Sequence, residues 1–186
     1  TMTNGYGYVG INPRFVPNIN VRRAIMKAFN TKTITDNYYK GDLAEIIYRP
    51  MSKASWAYPD DVKSAYVNPQ KGLNYKYDNT GNEIEALVKA EGYTKNSNGV
   101  YEKYIAGWGT DTLNYKFTIA GGSSDRPAYK MFLDAMQLLN AHGFDVQVVT
   151  SQTALSDLST GKLAVWAAAW SSTVDPDMYQ VYHMDS

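Results

Sequence analysis

The residues best suited to chemistry stand near the end of the chain, from Trp170 to Asp177. Asp175 and Asp177 flank Pro176, and two carboxylates at this spacing are a possible acid–base pair. The same Asp-Pro-Asp pattern is typical of a helix start, where negative charge suits the positive end of the helix dipole, and this second interpretation is favoured. Trp170 is either a wall of a ligand pocket or the last side chain that closes the core.

Two other stretches offer contacts to a ligand. Residues 121–124, Gly-Gly-Ser-Ser, lie between a predicted strand and a predicted helix, where free backbone N–H groups can hold an anion or carboxylate. They lack the lysine of a phosphate-binding loop, so a plain turn is the default interpretation. Trp56 and Tyr58 lie in the proline-containing stretch 49–77, which we predict to be an ordered loop with short helical turns. Ser123, Trp56 and Tyr58 are therefore candidate ligand contacts.

Several kinds of chemistry are excluded by composition. Cysteine is absent, which excludes disulfides, thiol catalysis and cysteine-bound zinc. His142 and His183 are the only histidines, and neither has a companion at metal-ligand spacing; a cation at His142 would suit the end of the helix predicted there. No Gly-x-Ser-x-Gly or His-Glu-x-x-His pattern occurs. We therefore predict no catalytic residue, no metal site and no cofactor.

The charge balance also limits the partners. The chain has 18 Lys and Arg against 18 Asp and Glu, so no excess of positive charge is available for phosphates, and nucleic acid is not an expected partner. Its 186 residues suffice for one well-packed core. The 16 tyrosines and four tryptophans are common at ligand sites, although they also serve as surface and core residues. The longest apolar run, Leu163–Trp170, is too short to span a bilayer, and the residues given show no signal peptide.

The first part of the chain predicts one strand and two helices. Residues 5–11 are predicted to form a strand that ends at Asn12-Pro13. Asn20 is the predicted cap of the next helix, and Thr31 or Thr33 that of a second helix, which extends to Tyr39 and stops at Gly41. The first helix presents an apolar face with helical spacing, formed by Val21, Ala24, Ile25, Ala28 and Phe29.

A third helix and a tight turn follow. The pattern Thr80-x-x-Glu83 predicts a capping box ahead of an apolar series at Ile84, Leu87 and Val88, with the helix ending near Gly92. Residues 96–99, Asn-Ser-Asn-Gly, lack the acidic ligands of a calcium loop and predict a turn.

The last part of the chain predicts an alternation of strands and helices. Strands are predicted around Phe117 and Val146, with a helix between them that ends at Gly143 and packs through Ala128, Phe132, Ala135, Met136 and Leu139. A short helix around Leu155 and Leu158 ends at Gly161, and the apolar strand Leu163–Trp170 follows, with expected cover on both faces. The predicted fold class is α/β with a mixed, partly parallel sheet and flanking helices. In such sheets ligands bind beyond the carboxyl ends of the strands, where Trp170 is expected.

The order of these segments carries a family resemblance. The segments are Val21–Asn30, Tyr38–Ala44, Ala90–Tyr93, the helix that ends at Gly143, and Trp170 with the Asp-Pro-Asp of 175–177. Each is common by itself, but their ordered combination over nearly the whole chain resembles the oligopeptide, dipeptide and nickel-binding branch (family 5) of the extracytoplasmic solute-binding proteins of ABC transporters.

This resemblance implies a periplasmic-binding-protein-like (type II) fold. Residues 1–186 would form a single α/β lobe of a two-lobed protein, with the other lobe missing and with both chain ends near hinges on one side. A peptide or similar small solute would be enclosed between the lobes and handed to the membrane permease of an ABC importer. The precursor would be exported, and either periplasmic or lipid-anchored at the outer face of the cell membrane.

The resemblance also implies roles for particular residues. Trp170 matches the tryptophan that lines the ligand pocket of peptide-binding relatives. Those relatives place an aspartate three residues further on to pair with the ligand's α-ammonium group, whereas this chain has Thr173 there, and Asp175 is the possible substitute. Residues 167–169 are all alanine, where some relatives carry an arginine for the ligand carboxylate.

Two other functions stay open at this point. One is a sensory or adhesive domain that uses the same fold to report that a ligand is bound. The other is a hydrolase that uses Asp175 and Asp177 together with tyrosines, although no residue in the sequence accounts for a shifted carboxylate pKa.

Overall fold

The computed structural model describes residues 5–38, 76–120 and 127–171; for Gly5, Tyr6, Ile34, Asn37, Tyr38 and residues 169–171 only the backbone is described. Seven strands and five helices lie in these three stretches. In chain order they are β1 (Gly5–Ile11), α1 (Ile19–Lys27), α2 (Thr31–Tyr38), α3 (Asn82–Ala90), β2 (Thr94–Lys95), β3 (Tyr101–Ile105), β4 (Gly109–Thr112), β5 (Asn114–Ala120), α4 (Pro127–Asn140), β6 (Asp145–Ser151), α5 (Ala154–Ser159) and β7 (Val165–Ser171).

Helix α1 has the predicted apolar face but a different cap. All five residues of that face are buried. The predicted cap Asn20 lies inside the first turn, whereas the extended backbone at Asn18 makes that residue the cap. Its side-chain oxygen accepts from the backbone N–H of Asn20 at 2.8 Å and of Val21 at 3.2 Å. The prediction missed the start of the helix by two residues because exposed Ile19 adds nothing to the apolar pattern.

Helix α2 begins one residue earlier than predicted. The Asn30 side-chain oxygen accepts from the backbone N–H of Thr33 at 3.2 Å, so Asn30 acts as the cap in place of Thr31 or Thr33. The predicted stop at Gly41 lies outside the described residues.

Helix α3 lacks the predicted capping box. Gly81 stands at the cap position with φ 77°, and the first N–H groups are satisfied from further upstream: Asp78 accepts from Ile84 at 3.0 Å. Glu83, the predicted partner of Thr80, instead forms an ion pair with the nearly buried Lys27 at 3.1 Å. Gly81 has no side chain to act as a cap, so the Thr80 hydroxyl accepts from the N–H of Asn82 at 3.2 Å and Asp78 accepts from that of Ile84.

The main sheet is mixed, as predicted. Its strand order is β1-β7-β5-β6, in which β5 pairs in parallel with both β6 and β7, and β1 pairs antiparallel with β7. The apolar strand β7 is therefore an inner strand, which accounts for the absence of charged residues and for the apolar run from Val165 to Trp170. Val165 and Ala167 are buried, while Trp166 and Ala168 on the other face are only partly covered.

The core lies between this sheet and helices α1 and α4. The rings of Phe29, Phe117 and Phe132 meet with centroids 5.2 to 5.8 Å apart; Phe29 lies just after α1, and the other two lie in β5 and α4. Edge-to-face and tilted pairs at these distances add to the stabilisation from apolar burial. The predicted face of α4 is confirmed, with Ala128 and Met136 partly buried beside three fully enclosed residues. Gly143 follows the helix with φ 86°, as its predicted role requires.

A second sheet of three antiparallel strands, β2-β3-β4, is called here the hairpin sheet. The predicted turn at 96–99 joins β2 to β3: the Asn96 side chain accepts from the N–H groups of Asn98 and Val100, and Gly99 has φ 75°. The predicted short helix α5 is present and Ala154 is buried, while Leu155 is 66% exposed. Among the helices described, none is both long and apolar enough to cross a membrane.

Candidate functional site

Three parallel strands end at one edge of the main sheet, called here the carboxyl edge. β5 ends at Ala120, β6 at Ser151 and β7 at Ser171. β1 begins at the same edge, because Gly5 is the pairing partner of Ser171. The first and last described residues of the main sheet are thus neighbours, as expected from the resemblance, while the chain ends themselves lie outside the described residues.

Strands β1 and β7 continue past the rest of the sheet. The register places Ala167 beside Ile119, so Ala168 is level with Ala120, the last residue of β5. Residues 169–171 and their partners on β1 extend roughly 10 Å further, at about 3.3 Å per residue. This two-stranded part of the sheet, residues 5–11 and 165–171, is called the β1–β7 ribbon, and Trp170 lies in its extension.

One face of the β1–β7 ribbon pairs large residues with small ones. Gly10 is opposite Trp166, and a side chain on Gly10 would overlap the six-membered part of the indole ring, so the ring lies directly on the glycine backbone. Tyr8 is opposite Ala168 in the same way. The Trp166 Nε1 atom is buried, with no hydrogen-bond partner in the described part of the chain.

Of the six candidate site residues, the structure describes one. Trp170 lies in β7, where its backbone is the pairing partner of Tyr6. The other five candidates lie outside the described residues; these are Thr173, Asp175, Trp56, Tyr58 and Ser123. The sequence shows the alternation Gly-Tyr-Gly-Tyr at 5–8 but did not indicate that Tyr6 is the strand partner of Trp170.

A cluster of charged groups holds the hairpin sheet against α3 and α4. Glu85 accepts from the Tyr101 hydroxyl at 2.5 Å and lies 2.9 Å from Nδ1 of His142. Lys95 and Lys89 lie within 3.6 Å of the same carboxylate. The hydrogen bonds from Tyr101 and His142, with the lysine charges, lower the pKa of Glu85 to about 2. His142 thus has a carboxylate partner that its sequence position did not indicate.

A second carboxylate, Asp111, is buried inside the hairpin sheet. It is 1% exposed and accepts from the Tyr93 hydroxyl. Burial raises its pKa, with the Tyr93 hydrogen bond acting in the opposite direction. The nearby Tyr115 hydroxyl is buried, with no hydrogen-bond partner among the described residues, and burial also raises the pKa of Tyr115. A carboxyl group of raised pKa is the usual form of a general acid, but this one is enclosed on all sides by protein.

The described cavity of about 410 Å³ lies away from the carboxyl edge. It is bordered by Asn114 and Asp145, the first residues of β5 and β6, and by the turn at 96–99. Polar amides surround it, and two of these are already used: Asn96 holds its turn, and Asn140 exchanges two hydrogen bonds with the backbone of Val146. No group of three or more potential metal ligands occurs in the described stretches.

Comparison with known proteins identifies the family. The whole chain, residues 1–186, matches the model of the bacterial extracellular solute-binding proteins, family 5 Middle, and the chain belongs to that family. This confirms the resemblance and the fold class predicted from the sequence.

Among curated proteins, the oligopeptide-binding protein AppA of Bacillus subtilis (strain 168) is 23% identical over 184 residues, covering 96% of this chain and 31% of AppA. The solved structure of AppA from Bacillus subtilis in complex with a nonapeptide has a TM-score of 0.77 at 19% identity, covering 100% of this chain and 34% of that one. NikZ from Campylobacter jejuni in complex with Ni(L-His) has a TM-score of 0.68 at 23% identity, with coverage of 97% and 33%. The chain thus spans about a third of the length of these proteins.

Proposed function

We propose that this chain is one lobe of a longer, two-lobed solute-binding protein that encloses a peptide or similar small solute and delivers it to an ABC importer. The observation that carries the proposal is the family match over all 186 residues, combined with a length about a third that of the relatives. The rest of such a protein would supply the second lobe and the facing half of the binding cleft.

The sheet topology supports a cleft at the carboxyl edge. β1 begins and β7 ends at this same edge, and the two strands are adjacent. The segments before β1 and after β7 therefore both connect to the sheet at the carboxyl edge. Two such crossings are what a hinge between lobes needs, because a few residues at the ends of elements absorb the rotation. Ligands of α/β sheets bind beyond this same edge.

We assign Trp170 to the cleft as a wall of the ligand pocket. Its backbone lies in the extension of the β1–β7 ribbon, beyond the end of β5, which favours the pocket interpretation over closure of the core. Trp56, Tyr58 and Ser123 stay candidate contacts of the same cleft. Aromatic rings suit this role because they bury large apolar area while losing few rotamers.

Recognition of the peptide amine is expected to differ from that in peptide-binding relatives. Thr173 replaces the aspartate that the resemblance leads us to expect, and a neutral hydroxyl is a weaker partner for an ammonium group than a carboxylate. We propose that Asp175 reads the amine, or that the solute carries no free α-amine. Peptides with free and acetylated amino termini, titrated against the Asp175→Asn variant, separate these two forms of the proposal.

We also propose that the protein binds without catalysing a reaction. The described carboxylate with a raised pKa, Asp111, is enclosed by its own hairpin sheet and so is not accessible to a substrate. The further partner is the permease of the importer, and the expected location is outside the cytoplasm, either free in the periplasm or anchored by a lipid.

The test uses the full-length protein. Mass spectrometry of copurified material identifies the solute class, and calorimetry then measures the affinity of the wild type and of Trp170→Ala. We expect Trp170→Ala to weaken binding by about 2 kcal/mol with little change in ligand-free melting temperature. Trp108→Ala, which removes a half-exposed indole from the turn between β3 and β4, is the matched control and should leave affinity unchanged. Absence of any bound peptide or small solute would contradict the proposal.

A further inference from the structure

Along one face of the β1–β7 ribbon, three pairs of opposite residues each contain at least one aromatic residue. Trp166 is opposite Gly10, then Tyr8 is opposite Ala168, and at the carboxyl edge Tyr6 is opposite Trp170. In an antiparallel pair, residues directly opposite each other stand on the same face of the sheet. The first two pairs each combine a ring with a small residue, whereas the edge pair combines two aromatic residues.

The first pair shows why a small partner matters. The Trp166 ring lies so close over Gly10 that even a methyl group there would overlap it. The ring therefore occupies the space that a partner side chain would need. Ala168 leaves comparable space for Tyr8, since both strands keep the same pleat and register.

The edge pair has no such space to share. Neither Tyr6 nor Trp170 is opposite a glycine or alanine, unlike Trp166, which is opposite Gly10. The pair also stands beyond the last residue of β5, so no neighbouring strand of the described sheet adjoins it on that side. The register thus places two residues of aromatic type next to each other at the edge where a ligand is expected.

We propose that Tyr6, which the strand register places beside Trp170, is a ligand-binding residue, and that the two aromatic residues together select an apolar or aromatic side chain of the bound peptide. This inference rests on the proposed function. It adds a residue from the other end of the described chain, 164 positions before Trp170, to the binding site. The physical reason for the selectivity is that flat rings gain most from apolar and aromatic groups that they can contact face or edge on.

The experiment measures peptide selectivity in the full-length protein. Calorimetry compares penta-alanine with its five single-phenylalanine variants as probes. We expect the wild type to prefer phenylalanine at one position, and Tyr6→Ala to lower the affinity for that peptide by about tenfold, equal to about 1.4 kcal/mol, while penta-alanine changes much less. Tyr6→Phe, which keeps the ring, should retain the preference.

Two control variants locate the effect at the edge. Tyr8→Ala removes the same type of ring one pair further from the carboxyl edge, and Tyr104→Ala removes an exposed ring from the hairpin sheet. Both should keep the phenylalanine preference. If Tyr6→Ala keeps it as well, or if it lowers the ligand-free melting temperature and weakens all six peptides equally, the inference is wrong.

Trp170→Ala in the same series separates the two proposals. If it weakens binding while Tyr6→Ala has no effect, the cleft assignment stands and the role of Tyr6 is rejected. If the wild type binds none of the peptides, the peptide-binding function is itself rejected, together with this inference.

Discussion

The hairpin sheet and the β1–β7 ribbon are stabilised in different ways. The first depends on charged and hydrogen-bonded groups: Glu85 joins Tyr101, His142 and two lysines, and Asp111 is buried against Tyr93. The second has no charged residue in either strand and depends on shape, with the ring of Trp166 placed over Gly10. An uncharged ribbon suits the apolar contact that we propose for its edge, while the charged cluster joins the hairpin sheet to α3 and to His142, which follows α4.

The largest expected effect is a loss of stability on replacing Gly81, which lies against His142 of the charged cluster. Gly81→Ala places a side chain in a left-handed conformation and against the ring of His142, so we expect a loss of roughly 2 to 4 kcal/mol in the free energy of unfolding. Gly99→Ala is the matched control, because Gly99 has nearly the same φ but no atom within 4 Å of a new side chain. Denaturant unfolding should show a loss of only about 1 kcal/mol there. Equal losses would show that the His142 contact adds nothing.

The next effect tests the shape-based packing of the ribbon. Gly10→Ala inserts a methyl group into the indole of Trp166, and we expect a loss of roughly 1 to 3 kcal/mol, with a shift in tryptophan fluorescence. Gly7→Ala on the same strand meets only the Ala168 carbonyl oxygen at 3.9 Å, an ordinary contact. The free energy of unfolding of Gly7→Ala should lie within about 0.5 kcal/mol of the wild-type value. If the two variants behave alike, the ring–glycine contact is unimportant.

The third effect is a pH dependence from Glu85. Its folded-state pKa of about 2 lies below the unfolded value of 4.5, so it contributes stability that is fully present above pH 4.5 and is lost as pH falls toward 2. We expect a contribution of roughly 1 to 2 kcal/mol at neutral pH, since the carboxylate is partly exposed. Glu85→Gln should remove this part of the acid sensitivity in denaturant unfolding curves measured between pH 2 and 6. Parallel curves for the two proteins would contradict the assignment.

The smallest expected effect comes from Asp111, whose contribution to stability depends on pH in the direction opposite to that of Glu85. Burial raises the folded-state pKa of Asp111 above its unfolded value of 3.8, so the wild type loses stability as pH rises from that value through the folded one. Asp111→Asn keeps an acceptor for the Tyr93 hydroxyl and lacks the buried charge. We expect it to gain up to about 1 kcal/mol relative to the wild type at neutral pH and nothing near pH 3. A variant that is less stable at neutral pH would show that the charge has a partner beyond Tyr93.

The sequence by itself determined the helices, the strands of the main sheet and most of their apolar faces, whereas the three strands of the hairpin sheet were not predicted. The spacing of apolar residues in α1 and α4, and the alternation in β5, follow directly from the periods of helix and strand, and the structure buries the same residues. The apolar run before Trp170 indicated an inner strand, and the order of segments indicated the family. Residue spacing, apolar runs and the order of segments are properties of the sequence itself, so they can be recognised without knowledge of the tertiary contacts.

Tertiary structure alone decided the caps, the strand neighbours and the contacts between distant residues. The Asp78 side chain accepts a hydrogen bond from Ile84 at the start of α3. Strand β7 lies between β1 and β5, although β6 precedes it in sequence. Glu85 contacts His142, which lies 57 residues further along the chain. The pairing of Tyr6 with Trp170 is of the same kind, since it depends on how two strands at opposite ends of the described chain align. Such contacts depend on register and packing, and neither leaves a periodic signal in the sequence.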